Sequence, residues 1–292
     1  MIEKFLNYLQ YEQRRSPLTV NGYADDLRAF EQYFKGLDET LSWQSVDSDV
    51  VRDWMESMVD KGNSATSVHR RLSALRSFYR FALAHHLVVR DPAHCVKCPK
   101  GKKPLPQFMR EDEMDRLLDD VEWGSDYQSL LDRTVIMTFY QTGIRLSELI
   151  GLTDAAVDLD NCQLKVTGKG NKQRVVPFGD EMAQCLQRYA SERDSLVQRI
   201  DDAFFVSRKG YRLKPAQVRD SVKKRLATVS TAKKRSPHVL RHTFATAMLN
   251  HGADIESIRR LLGHESASTT EIYTHTTFEQ LKRIYQDAHP RA

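Results

Sequence analysis

The chain is poor in cysteine and in backbone punctuation, and it has no long apolar run. Its 292 residues include 4 Cys, 13 Gly and 9 Pro. Four cysteines are too few for a secreted disulfide framework in a chain of this size. Cys95 and Cys98 form a single CxxC with no second pair at zinc-finger spacing, and Cys162 and Cys185 lie far from them. Reduced thiols of minor structural weight are expected. No apolar stretch approaches the roughly 20 residues a membrane span needs. The opening MIEKFLNYLQYEQ has early charges and no cleavable apolar core, so an unprocessed cytoplasmic protein is expected. Repeats and low-complexity segments are missing too. Charge is nearly balanced, with a net +5 and a pI near 8.9, which permits a nucleic-acid partner without requiring one.

What remains is an ordinary globular composition, 40% hydrophobic and 9% aromatic, in a chain long enough for two cores. The first hundred residues show helical periodicity and no strand-like alternation. A first helix is expected over residues 2 to about 13. Thr19 is the expected cap of a second, with Tyr23, Leu27, Phe30 and Phe34 on its apolar stripe and Gly36 at its end. A third runs from about Asp49 to Asp60. In the fourth, about Ala65 to His85, Val68, Leu72, Leu75, Tyr79 and Ala82 form the stripe. His69, Arg76 and Arg80 share a polar flank of that helix, which suits either a solvated face or a clamp on a DNA backbone. The segment CPKGKKPLPQF at 98 to 108 reads as a basic linker able to follow a phosphate chain.

Beyond it, helices are expected around Glu111 to Val121 and Leu130 to Gln141, the second broken at Thr142-Gly143. Arg145 then precedes Ser147, the expected cap of a short helix, Glu148 to Leu152. An arginine at a helix start adds charge where backbone amides already favour anions. Leu164 and Val166, then GKGN, then Val175, Val176 and Phe178 predict a β-hairpin with Lys169 at its tip. Asp180 is the expected cap of a long helix, followed by a β-like run at Ala203 to Ser207. A helix over Gln217 to Leu226 leads into the most basic region of the chain, containing Lys223, Lys224, Arg225, Lys233, Lys234 and Arg235. The last helix, Phe278 to Ala288, has few obvious partners within the chain and is expected to dock on another subunit.

The richest stretch lies between, SPHVLRHTFATAMLNHGADIESIRRLLGHESASTTEIY at 236 to 273. Ser236 and Pro237 signal a helix start. Leu240, Phe244, Ala247 and Met248 make its core stripe, while His238 and Arg241 lie off that stripe and face something else. Asp254 caps a second helix that stops at Gly263, with His264 directly after it, and Tyr273 follows on a third segment. Arginine grips a phosphate without losing its charge, an imidazole moves protons, and a phenol can attack phosphorus. The pocket-facing set contains no Asp, Glu or Cys to ligate Mg²⁺ or Zn²⁺. His238 and His242 are four apart, as in a zinc site, but Val239 stands where H-E-x-x-H has glutamate. Metal-free phosphoryl transfer is the chemistry expected, with no cofactor.

Taken in order, Arg145, Lys169, His238, Arg241, His264 and Tyr273 give Arg, Lys, His-x-x-Arg, His, Tyr. With TGIRLSEL at 142 to 149, GKGNKQRVVPF at 168 to 178, SPHVLRHTFAT at 236 to 246, LLGHESASTTEIYTH at 261 to 275 and the ending HPRA, the chain resembles the tyrosine recombinases, most of all the Xer-type bacterial members. The resemblance covers nearly the whole chain. It implies a mainly α, two-domain protein: an all-helical core-binding domain over 1–98, a linker at 99–107, and an α+β catalytic domain over 108–292 with a small antiparallel hairpin. It further implies that Tyr273 forms a 3′-phosphotyrosyl link to DNA, that Arg145 and Arg241 hold the phosphate, that Lys169 is the general acid, and that His238 and His264 assist. DNA contacts are expected at Arg70, Arg76, Arg80, Lys172, Arg174, Lys223 and Lys224. The implied partners are a double-stranded recombination site, a homo- or hetero-tetramer with a second recombinase working through a Holliday junction, and a DNA translocase. The implied setting is the nucleoid in a bacterial cytoplasm, and the implied task is chromosome dimer resolution. Integration of a mobile element, topoisomerase-like relaxation of the type IB kind, and catalytically silent DNA binding are the alternatives left open.

Overall fold

The computed structural model describes residues 1–98, 107–168, 171–263 and 275–292, the side chains of 275–277 excepted. The chain divides into two compact units, Met1–Pro104 and Leu105–Ala292, a division that falls inside the linker expected at 99–107.

In the first unit α1 (Ile2–Asn7) passes into a π-turn at Tyr8–Glu12, where one regular helix was expected. Helix α2 (Pro17–Leu37) begins two residues before the expected cap Thr19. Ser16 is the cap, its Oγ accepting from the Thr19 amide, and Pro17 takes the first helical position, where no amide is needed. The helix runs through Gly36. Helix α3 (Ser48–Asp60) starts at Asp47, whose carboxylate accepts from the amides of Asp49 and Val50 at 2.9 and 3.1 Å. Ser64 caps α4 (Ala65–Ala84). The apolar stripes meet in an aromatic core in which Trp43 packs on Phe78 with ring centroids 4.4 Å apart and Phe30 on Trp54 at 4.8 Å. The Tyr79 hydroxyl is buried there and donates to the Trp43 carbonyl. No strand occurs among the described residues of this unit.

The second unit is built around α6 (Tyr127–Thr142), capped by Asp126 and buried on nearly every side. A helix buried all round is a central one, and α8 (Asp180–Leu196), α9 (Pro215–Leu226) and α10 (Pro237–Asn250) pack about it. Before it, α5 (Glu111–Asp115) runs into a second π-turn, Arg116–Asp120. After it come α7 (Leu146–Ile150) and an antiparallel sheet of β1 (Val157–Asp158), β2 (Gln163–Thr167) and β3 (Gln173–Pro177), in that order. The expected hairpin is therefore present with one short extra strand. Its register pairs Val166 with Arg174 and Thr167 with Gln173. The β-like run at Ala203 forms only isolated bridges, Thr153 with Ala203 and Val206 with Arg212.

Helix α11 (Ile255–Leu262) starts at Asp254 as expected and ends at Gly263, whose φ of +64° places it in the left-handed region that glycine occupies without strain. The last helix, α12 (His275–Ala288), does have partners within the chain. Leu281, Tyr285 and Ala288 are buried in a cluster with Phe244, Met248 and Leu262. The Tyr285 hydroxyl donates to Gln141 Oε1, and the His289 ring stacks on Tyr285. Arg291 pairs with Asp115, Asp119 and Glu181. The tail is folded onto its own unit. Gln141, Asp115, Asp119 and Glu181 lie more than a hundred residues away in sequence, beyond the reach of periodicity.

Candidate active site

Gly143 ends α6 with φ +58°, and the chain turns at once into α7, so that Arg145 sits at the N-cap position. Ser147 is not the cap. The carboxylate of Glu148, three residues into the helix, accepts from the Arg145 backbone amide at 2.7 Å. The same carboxylate accepts from Arg145 Nη1 at 2.8 Å, and Arg145 Nη2 donates to the Gly263 carbonyl at 2.8 Å. Arg145 is thus held by its backbone and by both ends of its guanidinium.

Arg241 comes from the middle of α10. The sequence places it off the apolar stripe, yet it is 6% exposed. It is tolerated there because its two Nη groups donate to the carbonyls of Gly143 and Leu262 at 2.7 and 2.8 Å. Burial, then the neighbouring guanidiniums of Arg145 and Arg174, lower its pKa to about 10. It remains a cation at neutral pH.

Arg174 completes the group from β3. Its Nε donates to the Leu261 carbonyl at 2.8 Å, and its Nη1 and Nη2 donate to the two oxygens of Glu148 at 2.8 and 2.9 Å. Leu261, Leu262 and Gly263 therefore offer three successive carbonyls at the end of α11, and each accepts from a different arginine. Such terminal carbonyls have no partner within the helix and carry its partial negative charge. Glu148 is the carboxylate among the three guanidiniums. Burial acts to raise its pKa, but the bonds and charges of Arg174 and Arg145 outweigh that and bring it to about 2.

His238 is exposed one turn ahead of Arg241. Its Nε2 lies 3.2 Å from Nε2 of His242, with the rings edge to face. Burial, and then the charges of His238 and Arg241, lower the pKa of His242. Ser236 occupies the N-cap of α10 as expected, but its hydroxyl makes no capping bond. Lys169, His264 and Tyr273 lie outside the described residues. Their chain neighbours frame them: Gly168 donates to the Lys172 carbonyl at the mouth of the hairpin, and Gly263 immediately precedes His264. No group of three or more His, Cys, Asp or Glu able to hold a metal ion occurs among the described residues.

The expected DNA contacts divide. Arg80, Lys172, Lys223 and Lys224 are exposed. Arg70 is exposed but clamps the buried Asp26 with both Nη groups. Arg76 is half-buried and donates to the carbonyls of Ala93 and Val96 at 3.0 and 2.6 Å, so it ties the end of the first unit together. Arg174 is 7% exposed, and each of its three nitrogens donates to Glu148 or Leu261. It is an interior residue rather than a surface one. Glu148 was missed altogether as a site residue, although an acid three residues after a helix-start arginine is a legible capping signal.

Residues 107–280 match the phage integrase family, and residues 2–86 match the phage integrase N-terminal SAM-like domain. The chain belongs to the tyrosine recombinases of the phage integrase family. It is 39% identical to "Tyrosine recombinase XerC" of Chlorobaculum parvum over all of this chain and 94% of that protein. It is 35% identical to "Tyrosine recombinase XerD" of Oceanobacillus iheyensis over all of this chain and 98% of that protein. In fold it is similar to the XerH site-specific recombinase bound to difH substrate, with a TM-score of 0.71 and 24% identity over 97% of this chain and 82% of that one. The mainly helical, two-domain architecture with a small antiparallel sheet is thus that of a tyrosine recombinase, and Arg145, Arg174 and Arg241 all fall within the segment matched to the integrase family.

Proposed function

We infer that the protein is an Xer-type site-specific DNA recombinase that cuts and rejoins DNA through a covalent tyrosyl intermediate. The observation that carries this reading is the pair Arg145 and Arg241, fixed by adjacent carbonyls of one helix end directly before His264. Each guanidinium has five N–H groups and spends two on the bonds to Glu148 and Gly263 or to Gly143 and Leu262. The remainder can bind the non-bridging oxygens of a phosphate, whose negative charge grows in the transition state.

In this reading the Tyr273 oxygen attacks the phosphorus, and the P–O bond to the 5′-oxygen breaks. His238 takes the phenolic proton, Lys169 gives a proton to the leaving 5′-oxygen, and His264 donates a hydrogen bond to the phosphate. The His238–His242 contact allows one hydrogen between the two Nε2 atoms; when His238 donates it to His242, the Nδ1 lone pair of His238 is left to take the phenolic proton. A phosphotyrosyl ester retains the energy of the phosphodiester it replaces. The reverse attack by a 5′-hydroxyl therefore reseals DNA without ATP. Lys223, Lys224, Lys172 and Arg80 supply exposed charge for the DNA backbone.

The partners in this reading are a double-stranded recombination site and three further recombinase protomers, identical or of a second kind, with a DNA translocase as a further partner. The reaction is placed on the nucleoid in the cytoplasm, and its task is resolution of chromosome dimers. For the tail helix to reach a neighbouring protomer, the pairs of Arg291 with Asp115, Asp119 and Glu181 must first open.

The test is incubation with nicked suicide substrates carrying candidate recombination sites, in EDTA, followed by a denaturing gel. Wild type should give a covalent protein–DNA band, and Tyr273→Phe should bind the same DNA without forming it. Equal bands from both proteins would remove Tyr273 as the nucleophile. No band from wild type on any substrate would favour silent DNA binding.

A further inference from the structure

Arg174 is the one arginine of the cluster that the proposed chemistry does not use, and its charge sits on the hairpin strand where a DNA contact was expected. We propose that Arg174 is a positioning residue, a buried strut that fixes Arg145 through Glu148 and fixes the C-terminal end of α11. The inference rests on the assignment of Arg145 as a phosphate-binding group.

The geometry favours a strut over a DNA contact. All three nitrogens of the guanidinium donate to acceptors at 2.8 to 2.9 Å on two other elements, α7 and the end of α11. Its side chain is 6% exposed. A lysine has a single point charge and no planar fork, and it cannot meet a carboxylate bidentately while also reaching Leu261. Gly263 contributes to the same fit. A Cβ there would lie 3.0 to 3.1 Å from the Arg174 guanidinium, so the residue before His264 must be small for the strut to reach its place.

Position on the hairpin adds a third link. Arg174 pairs across the ladder with Val166 and stands five residues after Lys169. One side chain therefore joins β3, the helix start carrying Arg145 and the C-terminal end of α11. Three guanidiniums around one carboxylate leave a formal excess of positive charge, which a phosphate bound between Arg145 and Arg241 offsets. If Arg174 is lost, Glu148 keeps only Arg145 as a bonded cation, and Arg145 no longer has a carboxylate anchored from behind.

The experiment compares wild type, Arg174→Lys and Arg174→Ala, each well below its own melting temperature. DNA affinity is measured across a salt series, and single-turnover cleavage of a nicked substrate is measured at saturating protein from pH 5 to 8. DNA affinity should change less than about threefold with an unchanged salt slope. Saturated cleavage should fall about 100-fold, the scale of an ångström-level misplacement of a reacting group, and Arg174→Lys should resemble Arg174→Ala more than wild type. Gly263→Ala, which crowds Arg174 without replacing it, should also lower saturated cleavage.

Wild-type cleavage at saturation by Arg174→Lys would overturn the proposal. So would a loss of affinity with a salt slope lower by about one, the signature of a lost phosphate contact. Failure of the recombinase reading itself is a different result, since wild type would then form no covalent adduct.

Discussion

Replacing Glu148 by glutamine removes the one charge that lets three guanidiniums gather at the end of α11. The side chain stays the same size, so little packing is lost. The carboxyl titrates near 2 in the folded protein against an ordinary value of 4.5. At 1.36 kcal/mol for each factor of ten, that difference corresponds to about 3 kcal/mol of stability at neutral pH. Breaking a buried pair from one side costs about 3–5 kcal/mol by a separate route of reasoning, because the partners are left buried and uncompensated. The amide also turns an NH₂ toward Arg174 or Arg145, placing donor against donor. For a unit of this size about 3 kcal/mol lowers the melting temperature by roughly 6–12 °C.

The sign of the pH dependence follows from the lowered pKa. The contribution is complete above about pH 4.5 and is lost as pH falls toward 2. The gap between wild type and Glu148→Gln should therefore shrink from about 3 kcal/mol at pH 7 to about 1 kcal/mol at pH 3. Calorimetric melting of the full chain measures it, with hydrogen exchange of α6 peptides identifying the transition of the second unit. A gap below about 1 kcal/mol at pH 7, or one that fails to narrow toward pH 3, would refute the reasoning.

Two further outcomes follow from the same region. Gly143→Ala puts a Cβ at a φ of +58°, 2.5 Å from Phe244 Cδ1 and 2.8 Å from Leu262 Cδ2; strain and overpacking together should cost about 2–5 kcal/mol, and a melting temperature within 2 °C of wild type would contradict the geometry. Arg291→Ala removes the bonds that hold Asp119 below its usual carboxylate range and latch the tail to α5 and α8; exchange of α12 amides should rise at least tenfold with α6 unaffected, and unchanged protection would show that Tyr285 and Leu281 hold the helix alone.

Local signals in the sequence were read correctly where local physics decides. Apolar spacing located nearly every helix of both units, and alternation around GKGN located the hairpin. Asp254 as a cap and Gly263 as a stop also held, because each acts on amides or a φ angle within its own turn. Errors of one or two residues came where two candidates compete for one role: Ser16 rather than Thr19, and Glu148 serving the Arg145 amide rather than Ser147 capping the helix. The π-turns after α1 and α5 have no distinctive composition, and regular helix was expected through both.

Charged residues divided differently. His238 and Arg241 were marked by their place off the apolar stripe, a property of one helix. Whether an arginine faces DNA or the interior depends on acceptors from other elements. Arg76 finds the carbonyls of Ala93 and Val96, Arg70 finds Asp26, and Arg174 finds Glu148 and Leu261 across separations no periodicity encodes. The docking of the tail through Tyr285 and Arg291 was invisible for the same reason. Sequence by itself determined the helices, the hairpin, the family and the identity of the six candidate residues, because these depend on spacing and side-chain type. Tertiary structure alone decided which arginines are buried and what holds them, since a guanidinium leaves water only where fixed oxygens from several elements replace its hydration.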